Sequence, residues 1–533
     1  MFPWLARSNR QPPLRPPHSP TPRRHLVIGI MLLGAAVRLG HLLVIDLHLP
    51  FHLGGLFAEF AAQIAAHRYA LPTTIPFYTP GGIPFAYPPL PFYLEALLID
   101  GLALPKFAVV NALPPLLSTL TLPAFHRLTG ELGFNSAARL AALLVYAILP
   151  GAFLEHLEAA GLAEALGSLA IIVLAAGLAR ACREDSWRSH ALAGLGLALG
   201  VLASPGSAYA SGLMILIAAG ARLARTARDR LAVALGGLAL VLAVGAVVAS
   251  PYWLAVISRH GVQVFWEPWA ARHHAYWAET IWYAGGFRVS GIPSLYRLPW
   301  DGLLLAGLCY GLVRRRWALA AWLLAFLAVP QERGWITPIP AALLAGLALA
   351  DLVGRRRNPS PGAGRRRRAI VLAGLAVLGG GYALAADILT IQGKLADANG
   401  ILTADDMAAM EWARQTTPPD AAFVVLPFKA AIAEWTPHLA RRTVLNMRYG
   451  AEWQPAENDR IEALNAALGQ CEDLDCWRRS LRAFGYPGER VYLLLDRAHV
   501  PWLNPATSAE GGFEWLYENG KDFIGRLALE APD

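Results

Sequence analysis

The chain has 533 residues, of which 55% are hydrophobic and only 16% are charged, and its mean hydropathy is +0.40. A soluble globular protein of this length does not need so much apolar sequence to fill its cores, so the composition indicates a polytopic membrane protein. The formal net charge is +8. The arginines stand in short clusters between apolar runs rather than along one basic face, which excludes nucleic acid as a partner.

The first 25 residues are rich in proline and arginine, a composition that cannot bury enough apolar surface to fold. We expect residues 1–25 to form a disordered basic tail on the cytoplasmic side. The apolar run that follows, 26–45, is too long for the core of a secretory signal and is not closed by a small-residue cleavage site. It therefore predicts an uncleaved first span.

Further apolar stretches approach the length of about 20 residues that a membrane helix needs. With the first, the candidates are 26–45, 88–104, 107–127, 137–157, 161–182, 190–203, 206–224, 231–250, 301–313, 317–330, 338–354 and 369–389. Arginine-rich loops at 221–230, 314–316 and 355–368 should lie in the cytoplasm, which places the C-terminal region outside.

A cytoplasmic N-terminus and an external C-terminus require an odd number of crossings, so about eleven spans are expected and one candidate does not cross. We assign this role to 88–104, which opens with two prolines and carries Glu95 and Asp100. Such a segment is tolerated as a re-entrant element where protein or a water-filled cavity covers it.

The expected fold class is mostly α: a transmembrane helical bundle over 26–389, in the inner membrane of the cell, followed by an extracytoplasmic α/β domain over 390–533. The bundle has two large external loops, 46–87 and 251–300. In the C-terminal domain, short β-rich runs alternate with helical segments. These β-rich runs are 421–426, 443–447 and 491–495. Cys471 and Cys476 lie in the same domain and predict a local disulfide.

The first external loop combines an apolar helical pattern with an acidic residue. Its apolar positions recur at helical spacing: Phe57, Phe60, Ile64 and Ala65. This pattern predicts an amphipathic helix lying in the membrane interface. Glu59 on that helix could take a proton from an incoming hydroxyl, the task of a general base, or could belong to a solvated polar face. Asp46 and His52 are competing candidates for the base.

A second acidic group follows at Glu155 and Glu158, three residues apart on one helical face with His156 between them. Two such carboxylates could orient an acceptor or bind a divalent metal ion, Mg or Mn, or could only solvate a helix start. The spacing lacks the ligand count of a recognised metal site.

The loop 251–300 contains ten Tyr and Trp residues in fifty positions. Aromatic faces with polar groups between them suit sugar rings, whereas the alternative is an aromatic belt at the membrane interface. The density exceeds what a belt needs and favours a lined cavity. Trp253, Trp266 and His273 are the candidates for sugar or acceptor binding.

Two arginines lie outside the cytoplasmic clusters. Arg38 is in the outer half of the first span, and Arg333 is in the short external loop before the penultimate span. A guanidinium at either place could hold a phosphate by two parallel hydrogen bonds. The alternatives are an internal salt bridge for Arg38, and a pair with Glu332 or a lipid headgroup for Arg333.

Several segments in this order resemble a known family. They are Arg38 in the first span, the helix GGLFAEFAAQIAAHRYALP, and then FAYPPLPFYLEALL, SPYWLAVISRHG and ERGWITPIPAALLAG. Over about 26–389 the chain resembles the GT-C class of integral-membrane glycosyltransferases. The resemblance is to the branch that includes dolichyl-phosphate-mannose protein mannosyltransferases and the aminoarabinose transferase of lipid A.

The resemblance implies a donor made of a polyprenyl phosphate carrying one sugar, and transfer to an acceptor hydroxyl at the outer membrane face. It also implies a catalytic acid in the first external loop. Arg333 matches a basic residue that holds the donor phosphate, and Tyr87 lies in the matched FAYPPL segment. Family members usually place an acidic residue, often Asp-Glu, where this chain has Leu53 and Gly54, so Glu59 inherits the role by default.

The acceptor stays open between lipid, polysaccharide and protein. A secondary transporter would use similar membrane charges, but it usually shows two related halves with paired broken helices, and the sequence has no such repeat. A non-catalytic membrane protein that presents an external binding domain is a further alternative, supported by the missing acidic pair.

Overall fold

The structure is a computed structural model. It describes residues 24–224, 226, 231–265, 298–328, 333–354, 363–396, 400–427, 431–486, 490–503 and 512–529. The described residues are mainly helical, with one five-stranded sheet near the C-terminus. The predicted tail 1–25 falls almost entirely outside this set.

Apolar runs of the first 396 residues form a set of helices. In chain order they are α1 (Arg24–Leu39), α2 (Gly55–Ala66), α3 (Leu90–Ala96), α4 (Lys106–Glu131), α5 (Ser136–Ile148), α6 (Leu162–Glu184), α7 (Trp187–Ala203), α8 (Pro205–Leu223), α9 (Leu231–His260), α10 (Leu298–Val313), α11 (Trp317–Leu327), α12 (Arg333–Ile336), α13 (Pro338–Gly354) and α14 (Ala363–Ala396). Short 3₁₀ turns connect some of them, including Pro150–Ala152, Leu154–His156 and Ala159–Gly161 between α5 and α6.

In the part of the chain that the structure describes, six helical stretches are long and apolar enough to cross a membrane. Helix α5 and the turns after it, bent by 81°, make a seventh if they count as one span. The protein is therefore a multi-pass membrane protein, while the count of eleven spans remains a prediction. The predicted re-entrant stretch forms α3, of 7 residues, and a π turn of 5 residues, Leu97–Gly101, well short of the ~20 residues needed to cross.

Small residues let the membrane helices pack closely. A Cβ built on Gly346 of α13 would lie 2.4 Å from the backbone of Ala142 in α5, and one on Gly177 of α6 would lie 2.7 Å from Ala193 in α7. Backbone contact of this kind replaces the hydrophobic effect as a source of helix association in lipid.

Helix α2 is buried rather than interfacial, which corrects the expectation of an amphipathic helix on the membrane surface. Glu59 and Gln63, expected on a polar face, are 0% and 8% exposed, like the apolar Phe60 and Ile64. The helix is enclosed because protein covers both its faces, with α3 on one side and a helix of the C-terminal part on the other. The polar side chains are satisfied by protein partners, so no face needs water.

The second external loop begins later than predicted. Helix α9 continues through Pro251 to His260, so the first ten residues expected in the loop 251–300 are helical. Of the remainder, 266–297 lies outside the described residues.

The C-terminal part contains a mixed sheet and four helices. The strands are β3 (Ala422–Leu426), β4 (Thr443–Val444), β5 (Arg490–Asp496), β6 (Phe513–Glu518) and β7 (Asp522–Ala528), and the helices are α15 (Ala404–Thr416), α16 (Ala431–Ala440), α17 (Pro455–Leu468) and α18 (Leu474–Ala483). A separate two-stranded ladder, β1 (Thr74–Ile75) with β2 (Ile83–Pro84), lies in the first external loop.

The sheet has the strand order β4-β3-β5-β7-β6. Strand β3 pairs in parallel with β4 and β5, and β7 pairs antiparallel with β5 and β6. The three β-rich runs of the sequence coincide with β3, β4 and β5, which supports an α/β arrangement here. Cys471 and Cys476 form a disulfide with their Cα atoms 5.5 Å apart.

One hydrophobic core joins the first external loop to this C-terminal part. It contains Phe60 of α2, Phe92 of α3, Trp435 of α16, Phe423 of β3 and Ile524 of β7, all fully buried. The predicted boundary near residue 390 falls inside α14, which runs on to Ala396. The C-terminal part is thus packed onto the first external loop through a shared core.

Candidate active site

Two predicted site residues from different loops meet in the structure. Nδ1 of His52 lies 2.7 Å from Oε2 of Glu158, and their side chains are 18% and 17% exposed. Because a carboxylate only accepts hydrogen bonds, the Nδ1–H of His52 donates to Glu158. In this tautomer the ring carries its basic lone pair on Nε2, so the pair has the arrangement of a histidine base oriented by a carboxylate.

The loop that carries His52 is fixed by a buried amide. Asn111 of α4 is fully buried. Its Oδ1 accepts from the backbone N–H of Phe51 at 2.9 Å, and its Nδ2 donates to the carbonyl of Leu49 at 2.9 Å. A side chain that satisfies both a donor and an acceptor of one loop defines the path of that loop.

The two loops of the His52–Glu158 pair also touch through their backbones. The N–H of Ala160 donates to the carbonyl of Leu53 at 3.0 Å. Gly54 has φ +145°, and a Cβ there would lie 2.3 Å from the Cβ of Ala159. Only glycine fits this conformation and this approach, so Gly54 permits the contact that brings His52 to Glu158.

His52 itself has φ +63°. A left-handed conformation costs a residue with a Cβ roughly 1–2 kcal/mol, so it persists only where the surroundings hold it in place. The contacts of Asn111 and Ala160 supply part of this support.

Helix α16 supplies the rest from the C-terminal part. Oε2 of Glu434 accepts from the backbone N–H of Gly54 at 2.8 Å, and Nε1 of Trp435 donates to the carbonyl of His52 at 2.8 Å. Gly54 is the N-cap of α2 and has no side chain with which to cap it. Glu434 therefore acts as the acceptor at the start of α2, where a negative charge is favoured by the helix dipole.

Glu59, the first candidate for the catalytic base, is fully buried. Its Oε1 accepts from Nε2 of Gln63 at 2.6 Å, and its Oε2 lies 2.6 Å from Nδ1 of His438 in α16. Both carboxylate oxygens are thus engaged by protein groups. This geometry favours a role for Glu59 in attaching α16 to α2.

The electrostatics of α16 follow from its burial. Burial raises the pKa of the Glu434 carboxyl to about 7, although the N–H groups at the start of α2 favour its ionised form. Burial, aided by the positive charge of Lys106, lowers the pKa of His438, while its bond to Glu59 opposes that shift. His438 is therefore neutral at pH 7 and donates its Nδ1–H to Glu59.

Arg38, a candidate for phosphate binding, is fully buried. Its guanidinium donates to the carbonyls of Gly34 at 3.2 Å, Tyr146 at 3.1 Å and Ala147 at 2.7 Å. The last carbonyls of a helix lack partners within it, so Arg38 completes the end of α5 and holds α1 against it. The sequence had suggested an internal salt bridge as the alternative role of Arg38. The structure shows hydrogen bonds to backbone carbonyls instead.

Glu155 and Arg333 are brought to one place by the backbone. A Cβ built on Gly334 would lie 2.1 Å from Oε1 of Glu155, which puts that carboxylate against the first turn of α12. Arg333 opens α12, and its side chain lies outside the described residues.

Two of the aromatic candidates, Tyr87 and Trp253, pack against one buried cluster that contains Tyr252 and Trp453. Tyr87 is half-buried, and its ring lies 5.3 Å from that of Phe57 and 5.7 Å from that of Trp453 in the C-terminal part. Trp253 of α9 donates from Nε1 to the carbonyl of Ala246 at 3.1 Å. Trp266 and His273 lie outside the described residues.

Asp46 stays apart from this centre. It is exposed, and its Oδ1 accepts from the backbone N–H of His48 at 2.8 Å. Among the described residues, no group of three or more His, Cys, Asp or Glu side chains is arranged to hold a metal ion, so no metal ligands are assigned.

Sequence reasoning missed the residues that hold the loop: Asn111, Glu434, Trp435 and His438. The segment of α16 was predicted as helical, and a glutamate and a histidine four residues apart in an otherwise apolar helix could have marked a polar contact. Nothing in a single sequence shows that the contact is made some 380 positions away.

No protein-family profile matches the chain, and no curated protein matches its sequence. Its structure is similar to that of the archaeal oligosaccharyltransferase AglB from Archaeoglobus fulgidus, solved with an inhibitory peptide and a dolichol-phosphate. The identity is 14% and the TM-score 0.56, over 94% of this chain and 74% of that one.

Two further solved structures are similar. One is ArnT from Cupriavidus metallidurans bound to undecaprenyl phosphate, with 15% identity and a TM-score of 0.55 over 96% of this chain and 99% of that one. The other is the arabinofuranosyltransferase AftD from Mycobacteria, with 15% identity and a TM-score of 0.55 over 97% of this chain and 40% of that one. All three are GT-C glycosyltransferases, and the chain has the GT-C fold that the sequence resemblance predicted.

Proposed function

We propose that the protein is a glycosyltransferase that moves a sugar from a polyprenyl-phosphate donor to an acceptor hydroxyl at the extracytoplasmic membrane face. The observation that carries the proposal is the His52–Glu158 pair, 2.7 Å apart. His52 comes from the first external loop, where the GT-C resemblance implies a catalytic acidic residue, and Glu158 supplies a carboxylate from another loop. The fold supports it, since the AglB and ArnT structures hold dolichol-phosphate and undecaprenyl phosphate.

In the proposed reaction the acceptor oxygen attacks the anomeric carbon of the donor. Nε2 of His52 receives the proton of the acceptor hydroxyl, and Glu158 stabilises the resulting imidazolium through Nδ1–H. The bond from the anomeric carbon to the phosphate oxygen breaks with its electron pair, and polyprenyl phosphate leaves. Attack opposite the leaving group inverts the anomeric centre.

The leaving phosphate needs positive charge, and Arg333 remains the proposed source. It opens α12 beside Glu155, and a guanidinium can meet a phosphate through two parallel hydrogen bonds. Arg38 is left out of this role because it is fully buried and both its terminal nitrogens already donate to helix carbonyls. Tyr87, Trp253, Trp266 and His273 remain proposed contacts of the sugar or acceptor.

A transfer assay tests the base. Membranes with the protein are supplied with undecaprenyl phosphate carrying radiolabelled mannose, arabinose or aminoarabinose, and incorporation into lipid, polysaccharide and protein fractions is counted. We expect His52→Gln and Glu158→Gln each to reduce transfer about a hundredfold or more, as loss of general-base catalysis does. The control is Asp46→Asn, which removes an exposed carboxylate from the same loop as His52 and should leave the transfer rate unchanged.

Two outcomes would contradict the assignment. Full transfer by His52→Gln would remove the pair from the mechanism. Loss of transfer by Glu59→Gln in a variant that stays folded and keeps the contact to His438 would return the role of base to Glu59. Native mass spectrometry of the purified protein for bound polyprenyl phosphate tests the donor class separately.

A further inference from the structure

Helix α16 meets the loop 49–54 and the start of α2 on a single face. Trp435 is fully buried and donates to the carbonyl of His52 at 2.8 Å. One residue earlier, Glu434 accepts from Gly54. One turn later, His438 contacts Glu59. These three residues connect the C-terminal part of the chain with both ends of the segment that leads from His52 into α2.

The contact is close enough to transmit position. A Cβ built on Gly55 would lie 2.5 Å from the carbonyl oxygen of Glu434 and 2.8 Å from the Cα of Trp435. The first turn of α2 therefore rests directly on the backbone of α16. A shift of α16 would therefore move the first turn of α2. Through that turn it would also move the loop residues that precede Gly54.

His52 is the residue of this loop that most needs outside support. Its φ of +63° is unfavourable for a residue that has a Cβ. Its ring is held by Glu158 and its carbonyl by Trp435. The preceding residue, Phe51, is held by the Asn111 amide. The orientation of the ring toward Glu158 thus depends on a bond from the C-terminal part.

We infer that Trp435 is a positioning residue for the reaction, and that the C-terminal part acts through α16 to set the orientation of His52. This inference rests on the proposed function, in which His52 takes the acceptor proton. Trp435 touches no reacting atom in this scheme. It acts by fixing the backbone from which the imidazole projects, and a small misplacement of a catalytic group lowers the rate of the chemical step rather than substrate binding.

The variant Trp435→Phe removes the indole N–H and keeps an aromatic ring in the same core. Its matched control is Trp477→Phe in α18, another tryptophan of the C-terminal part that is 1% exposed. Nε1 of Trp477 makes no hydrogen bond to any residue that the structure describes. Both substitutions leave a similar gap in a core, and only the first removes a bond to the loop.

Two readouts are measured on purified full-length protein. The first is kcat and KM for transfer with whichever of the three labelled donors supports it. The second is the rate at which diethyl pyrocarbonate modifies His52, read by peptide mass spectrometry. Because His52 is partly buried and bonded at Nδ1, release of its carbonyl should change this rate independently of any turnover.

We expect Trp435→Phe to lower kcat about tenfold with KM unchanged and to raise the modification rate of His52 several-fold, while Trp477→Phe changes neither. Unchanged kcat and unchanged His52 modification in Trp435→Phe would overturn the inference, and so would equal effects of the two variants. A third outcome separates the two proposals. If the modification rate of His52 rises only in Trp435→Phe, but neither the wild type nor either variant transfers sugar, the positioning contact is supported and the proposed function is contradicted.

Discussion

Glu434 is a buried carboxyl whose protonation bears on the contact between α16 and α2. Burial raises its pKa to about 7, whereas a glutamate in the unfolded chain has a pKa near 4.3. Between these values the folded protein binds a proton that the unfolded chain does not. The contribution of Glu434 to stability is therefore highest below about pH 4.3, falls as the pH rises to about 7, and is constant beyond that.

The first prediction follows from that sign. At pH 5, where Glu434 is protonated in the folded protein but mostly ionised in the unfolded chain, we expect Glu434→Gln to be more stable than the wild type by only about 1 kcal/mol. At pH 8 the variant should be more stable by roughly 3–4 kcal/mol, because glutamine needs no proton to remain neutral. Apparent melting temperatures in detergent across this pH range measure the difference.

The control is Glu462→Gln. Glu462 lies on α17 with its side chain 55% exposed, so its substitution should leave the pH dependence of the wild type intact. A Glu434→Gln profile parallel to that of the wild type would show that the carboxylate is stabilised at the start of α2 by its N–H donors, and would contradict the prediction.

At the residue scale, the sequence identified candidate site residues but not the residues that they contact. His52, Glu59 and Glu158 were all recognised as candidates because each is a titratable group in a region expected outside the membrane. Their order of importance changes once burial is known, since Glu59 has no exposed surface and His52 has some. Periodicity showed one face of α2 and could not show that α16 covers the other.

At the scale of elements, the site depends on two loops whose backbones touch. Gly54 has φ +145°, and a Cβ there would lie 2.3 Å from the Cβ of Ala159. The loop with His52 and the turn with Glu158 can approach only because this position lacks a side chain. Substitution should therefore separate His52 from Glu158 as well as destabilise the fold.

We predict that Gly54→Ala lowers the stability by roughly 3 kcal/mol or more, combining a backbone strain of about 1–3 kcal/mol with an overpacking cost of similar size. Gly133→Ala is the control. Gly133 also has positive φ, +71°, but a Cβ there meets nothing within 4 Å, so it should cost only about 1 kcal/mol. Melting temperatures of both variants test this, and equal losses would show that contact with Ala159 is not limiting.

Prediction of elements succeeded where a pattern is local. The runs that became β3, β4 and β5 are short, apolar and bounded by turns, and the segment of α16 has a clear helical pattern. Strands β6 and β7 were not predicted. In β7, Gly525 reads as a break in a strand, yet the ring of Phe513 in β6 covers that position, where a Cβ would lie 1.8 Å from the ring.

At the scale of the whole molecule, composition was enough to indicate a multi-pass membrane protein, and the ordered matches to GT-C segments were enough to predict the fold. The joining of the first external loop to the C-terminal part was not predictable. It depends on pairs such as Glu59 with His438, 379 positions apart, and a single sequence carries no pattern that relates such positions. The C-terminal part, predicted as an extracytoplasmic α/β domain, shares a core with α2 and α3.

The distribution of arginines predicts that the C-terminal part lies outside the cytoplasm, and the cysteines offer a test of the topology. Cys471 and Cys476 are joined in a disulfide, whereas Cys182 is not in a disulfide and lies near the end of α6, on the predicted cytoplasmic side. In right-side-out vesicles of a Cys309→Ser variant, a membrane-impermeant maleimide should modify Cys471 and Cys476 only after reduction, because a disulfide persists in an oxidising compartment. Cys182 should react only after detergent is added, and it serves as the internal control for sealed vesicles. Modification of Cys471 and Cys476 only after detergent would place the C-terminal part in the cytoplasm and, with it, the His52–Glu158 pair to which α16 is attached. Modification from outside without reduction would instead contradict the disulfide.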